Sequence, residues 1–169
     1  MNVTPETSGQ SPCLRTTCSA PRPFWTVTII ARSGLKARAF ADLRPAQWSK
    51  LIFNATVNGV AALTGLSHDF HFAEGDLGEL VHALVDEGKR VADAAGIELH
   101  DDPWEMNVLA TQRGSAHHPS MLEDVRAGRP TEAELINGAL VREGERLAVP
   151  TPLHQALYAL VKAREASYS

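Results

Sequence analysis

WSKLIFNATVN, residues 48–58, decides how this chain is read. Leu51, Ile52, Phe53, Ala55 and Val57, followed by Val60, Ala61, Ala62 and Leu63, leave no obvious solvent face on a helix. Lys50, Asn54 and Asn58 interrupt them at four-residue intervals. A step of four advances an α-helix by about 40°, because each residue turns about 100°. The three polar heads therefore share one narrow stripe. A helix that is apolar all round is buried in a core or between subunits. An unpaired ammonium there costs on the order of several kcal/mol, and an unpaired amide about 1–3 kcal/mol. Spacing alone leaves two readings: a solvated stripe with Lys50 exposed, or the polar wall of a wet cleft that takes a ligand.

Outward from this segment the signals stay helical. Asp42 caps a first helix that tolerates Pro45 in its opening turn and runs to Thr64–Gly65. LSHDFHFAEGD, 66–76, reads as a loop or short turn. Leu77 to Ala95 carries apolar residues at helical spacing, and Gly96 supplies a stop. Asp102-Pro103 opens a helix reaching about Arg113, and Pro119 opens another that ends at Gly128. Thr131 with Glu134 forms a capping box for the helix 131–148, and Thr151-Pro152 starts the last one. These elements predict an all-α domain of about six helices. Residues 1–23, rich in Ser, Thr and Pro, read as disordered. Phe24 to Ile30 is β-prone but has no partner strand.

The bulk composition excludes several classes. The 169 residues are 44% hydrophobic and 21% charged, ordinary for a globular chain with a real core. A net charge of −4 gives no basic surface for nucleic acid. No apolar run approaches the ~20 residues of a membrane span, and the basic-then-apolar order of a secretory signal is missing. A cytoplasmic protein is expected. Cys13 and Cys18, with no second pair, read as reduced thiols.

Other candidate sites have plain structural explanations. Ser120, beside Pro119, suits a helix start. Glu132 in a first helical turn suits the helix dipole. His68 and His71, with Glu74 nearby, invite a metal, but zinc needs three or four ligands on a fixed scaffold, so no metal is expected. His117-His118 reads as loop polarity. Neither G-x-G-x-x-G nor G-x-x-x-x-G-K-[ST] occurs in the sequence.

Taken together, three stretches resemble the C-terminal domain of ketopantoate reductase (2-dehydropantoate 2-reductase). WSKLIFNATVNGVAALTG (48–65) is similar to that family's Lys-Asn-Asn helix. PSMLEDVRAGRPTEAELINGALVREGERLAVPTP (119–152) is similar to its most recognisable block, and LHQALYALVKARE (153–165) to its closing helix. The resemblance implies an all-α fold similar to the 6-phosphogluconate dehydrogenase C-terminal domain. It implies NADPH-dependent reduction of 2-dehydropantoate to (R)-pantoate, in pantothenate biosynthesis. It makes Lys50 the general acid, places Asn54 and Asn58 on the substrate, and puts Ser120 on its carboxylate and Glu132 on its hydroxyl. Asn58-Gly59 stands where many relatives have Asn-Pro, which is expected to loosen the helix locally.

The domain reading is a segment 1–34 that is disordered or unrelated, then a reductase-like helical domain at 35–169, with the NADPH-binding Rossmann domain absent. The change in composition near residue 34 suggests a frameshift or misplaced start. Expected partners are a small 2-keto acid and either a second copy or a separate nucleotide-binding chain; without a nucleotide-binding domain no activity is expected. The rival is a non-catalytic helical dimerisation module or a truncated remnant.

Overall fold

The computed structural model describes residues 40–112 and 118–168. Among them are six α-helices and no strand. They are α1 (Arg44–Thr64), α2 (Gly75–Ala94), α3 (Pro103–Gln112), α4 (Ser120–Arg126), α5 (Asn137–Arg146) and α6 (Pro152–Ala166), with a 3-10 turn at Phe70–Phe72 between α1 and α2. The all-α expectation is met. The β-prone stretch 24–30 and both cysteines lie outside the described residues.

The helix α1 is the hub. It packs against each of the five other helices. Val57, Val60 and Ala61 meet Phe72, Val81, Leu84, Leu122 and Leu157 on one side. Ile52 meets Val85 and Ala92 on another, Ala55 meets Val91 and Leu140, and Ala62 meets Met121, Ala133 and Val161. A helix surrounded this way is apolar on most of its sides, and the stripe of Lys50, Asn54 and Asn58 is the exception. It ends at Gly65, whose φ of 74° is left-handed and whose N–H bonds the Ala61 carbonyl, a turn glycine makes without steric cost.

Gly59 does not break α1, which runs unbroken from Arg44 to Thr64. A Cβ at Gly59 would stand 2.8 Å from Leu157 Cδ2 and 3.2 Å from Asn137 Nδ2. The missing side chain lets α6 and α5 close on α1. Nearby, Asn137 Nδ2 donates to the Ala55 carbonyl at 2.6 Å from a fully buried position.

Three helix starts differ from expectation. Asp42 is not the cap residue itself; Leu43 holds that position, and Asp42 Oδ1 accepts from the Arg44 N–H at 2.9 Å. The capping box at Thr131 and Glu134 does not form, and α5 begins only at Asn137. Thr131 Oγ1 instead donates to Glu165 Oε1 at 2.6 Å, while Glu134 is bound to Arg142 and Tyr158. The Thr131 hydroxyl still accepts from the Ala133 N–H at 3.1 Å, but Glu134 is held by Arg142 on α5 and Tyr158 on α6 and does not complete the box. At α6 the Thr151 hydroxyl is buried and caps nothing. The carboxylate of Glu87, from α2, accepts from the N–H groups of Leu153 and His154, each at 3.0 Å.

Candidate functional site

Successive turns of α1 carry Lys50, Asn54 and Asn58 along one wall of a cleft of about 480 Å³. The stripe runs inward: Lys50 is exposed, Asn54 half-buried and Asn58 buried. Phe53 and Val57 share that wall; His68, Ala110, His118, Pro119 and Ser120 complete the lining. Ser120 is the first residue of α4, brought to the cleft because Met121, Leu122 and Val125 bury the other side of that helix. The cleft therefore offers one ammonium, two carboxamides and one hydroxyl. Amides give a donor and an acceptor without net charge, so this set suits a small anionic molecule with a polar carbonyl.

The structure brings Lys50, Asn54, Asn58 and Ser120 together, and it does not bring Glu132 to the lining. Glu132 is exposed in the turn between α4 and α5, where its carbonyl accepts from the N–H groups of Leu135 and Ile136, each at 3.0 Å. The helix expected to start near Glu132 starts five residues later, at Asn137.

Phe53, His68 and His118 belong to the cleft and were not foreseen from sequence. His68 and His71 do not share a face. His71 is exposed, with Nδ1 2.7 Å from Asp69 Oδ1 and its ring stacked on Phe70. His68 is buried, and its Nε2 lies 2.8 Å from Asn107 Oδ1. No group of three His, Cys, Asp or Glu able to hold a metal occurs among the described residues. His118 is half-buried, with Nδ1 2.9 Å from Glu123 Oε1. The signal that could have found His68 is the Asx turn at Asp69, whose side chain accepts from the His71 N–H and so turns His71 outward.

A second cleft of about 390 Å³ adjoins the first, lined by Asp101, Asp102, Glu105, Met106 and Leu109, and shares Phe53 and Ala110 with it. Asp102 is engaged there by Lys89 at 2.6 Å and by the Trp104 N–H at 2.8 Å.

The chain is 33% identical over 137 residues to the 2-dehydropantoate 2-reductase of Pyrobaculum aerophilum, covering 81% of this chain and 49% of that protein. It thus spans about half the length of the curated relatives it matches. The crystal structure of 2-dehydropantoate 2-reductase from Methylococcus capsulatus superposes with a TM-score of 0.77 at 33% identity, over 88% of this chain and 51% of that one. A ternary structure of D-mandelate dehydrogenase with NADH and anilino(oxo)acetate gives a TM-score of 0.77 at 27% identity, over 87% and 62%. Residues 42–165, which hold all six helices but the last residue of α6, match the family described as ketopantoate reductase PanE/ApbA C terminal, and the chain belongs to that family.

Proposed function

We propose that this domain is the substrate side of a 2-keto acid reductase, acting in the NADPH-dependent reduction of 2-dehydropantoate to (R)-pantoate. The observation that carries the reading is the single cleft wall bearing Lys50, Asn54 and Asn58, faced by Ser120. Reduction of a ketone places a developing negative charge on its oxygen. The Lys50 ammonium stabilises that oxygen and delivers the proton that makes it a hydroxyl. Asn54 and Asn58 orient the keto acid and Ser120 donates to its carboxylate, while the family resemblance assigns Glu132, which lies outside the cleft lining, to its hydroxyl.

The described residues are helices and connections, with no strand leading into a glycine-rich turn. Such a turn is what cradles a dinucleotide pyrophosphate. These residues do not fit the cofactor, so the chemistry assigned to them concerns the keto acid alone. A nucleotide-binding domain, on the same polypeptide or another, is the partner this reading requires. The reaction proposed here belongs to pantothenate biosynthesis, and a cytoplasmic setting is proposed with it. No helix among the described residues is long and apolar enough to cross a membrane. A relative bound to anilino(oxo)acetate supports a second reading, a reductase of the same chemistry acting on a different 2-keto acid.

The test is a fusion of residues 42–169 to the NADPH-binding domain of a relative, assayed by NADPH oxidation with 2-dehydropantoate. Lys50→Ala is expected to lower kcat by roughly 10²–10⁴-fold, the usual range for a general acid. Unchanged turnover in a folded Lys50→Ala fusion removes Lys50 from the mechanism.

A further inference from the structure

The cleft that holds the polar stripe adjoins an acidic cleft, and one aromatic ring is common to the lining of both. Among the described residues Phe53 and Ala110 line both, and the side chain of Ala110 is a single methyl. Phe53 sits between Lys50 and Asn54 in sequence, on the turn of α1 where the reacting end of a keto acid is proposed to bind. The ring is half-buried, so packing from one side has to fix its position.

That packing comes from a braced imidazole. His68 meets Phe53 edge-on, with centroids 5.8 Å apart and planes at 62°. It also meets Phe72, at 5.0 Å and 79°, and Phe72 is fully buried. Asn107, itself fully buried on α3, locks the arrangement. Its Nδ2 donates to the Phe72 carbonyl at 2.8 Å, and a carbonyl can only accept. The amide is therefore oriented, its Oδ1 faces His68 Nε2 at 2.8 Å, and Nε2 carries the hydrogen. One hydrogen bond and two ring contacts thus hold the imidazole, and a second hydrogen bond orients the amide that receives it. Aromatic pairs of this kind hold their geometry beyond simple area burial.

We infer that Phe53, braced by His68 and Asn107, is the specificity-determining partition of this cleft: it closes the keto-acid site against the neighbouring cleft and limits the site to compact 2-keto acids. The inference rests on the 2-keto acid reading above. With the ring in place, a substrate side chain meets Phe53, Val57 and Ala110. With the ring removed, the two spaces join, and an extended apolar side chain can reach Met106 and Leu109 in the second cleft.

The experiment measures binding of two acids to the full chain by ligand-observed NMR. One is 2-dehydropantoate and the other is 2-oxo-4-phenylbutyrate, which has the same reacting end and a longer aryl arm. The parent chain is expected to favour the compact acid. Phe53→Ala is expected to move the ratio of dissociation constants by about tenfold or more toward the aryl acid, the scale on which a few carbons decide pocket selectivity. Phe53→Leu should fall between the two, and Asn107→Leu, which releases the imidazole, should move the ratio the same way by less. Lys50→Ala should weaken both acids alike and leave the ratio unchanged. Thermal melting shows which variants are folded, and Phe53→Leu keeps the comparison available if Phe53→Ala is not. A folded Phe53 variant with the parent's ratio overturns the partition alone. Parent protein that binds neither acid, either as the chain alone or as the fusion to a relative's NADPH-binding domain, overturns the 2-keto acid reading, and the partition with it.

Discussion

Removing the Glu87 carboxylate tests how α6 is held. Glu87 is 2% exposed and accepts from two backbone N–H groups, Leu153 and His154, each at 3.0 Å. These are first-turn donors that have no partner within their own helix. In Glu87→Ala both lose their acceptor. The His154 N–H is buried and carries the full desolvation penalty of about 1–3 kcal/mol. The Leu153 N–H is partly buried and recovers some of its loss from water. Loss of a carboxylate from the positive end of α6 adds roughly 0.3–1 kcal/mol. The expected destabilisation is therefore about 2–4 kcal/mol, set against a total of roughly 5–15 kcal/mol for a domain of this kind. In urea this lowers the midpoint by about 1–2 M at an m-value of ~2 kcal/mol/M. Glu87→Gln keeps one carbonyl oxygen and should lose about half as much. Circular dichroism during urea titration, with parent and both variants at pH 7, reads the effect. A Glu87→Ala midpoint within ~0.3 M of the parent's would refute the claim that this carboxylate caps α6.

Two further outcomes follow from buried contacts. Gly88→Ala puts a Cβ 2.6 Å from Ile52 Cγ2 and 2.9 Å from Cγ1, and Gly59→Ala puts one 2.8 Å from Leu157 Cδ2. Overpacking of about 1–3 kcal/mol should exceed the ~1 kcal/mol gained in helix propensity, so both variants melt lower; a rise in melting temperature would contradict the tight α1–α2 and α1–α6 approach. Burial holds the His154 imidazole below its ordinary pKa, while its Nε2 donates to the Leu84 carbonyl at 2.9 Å. Its folded pKa is depressed, so the unfolded chain takes up a proton that the folded one refuses. The stability it contributes is whole above the unfolded value near 6.5 and declines as pH falls below it. Unfolding free energies measured from pH 7.5 to 5 should fall less steeply in His154→Gln than in the parent, and equal slopes would remove His154 from the linkage.

The sequence by itself carried the helical plan and the polar stripe. Apolar residues recurring at 3.6-residue spacing, with Pro45, Pro103 and Pro152 in opening turns, are local signals, and a helix answers mainly to local signals. The four-residue spacing of Lys50, Asn54 and Asn58 put them on one face whatever packed around them. What local pattern left open was which face meets solvent. Only tertiary structure made α1 the hub, left Lys50 exposed while burying Asn58, and carried Ser120 across to the same cleft.

The local rules failed where a distant group offered a stronger bond than a neighbour. Thr131 has Glu134 three residues on, yet its hydroxyl donates to Glu165, thirty-four positions away, and Glu134 goes to Arg142 and Tyr158. Thr151 has the right residue type for a cap, yet Glu87 on another helix performs the task. His68 and His71 are three residues apart, yet one is buried on Asn107 and the other lies outside on Asp69. Helix periodicity is a property of the chain segment, and the sequence therefore determines it. Which carboxylate reaches which N–H, and which ring walls off the cleft at Phe53, depends on helices meeting in space, and only the tertiary structure decides it.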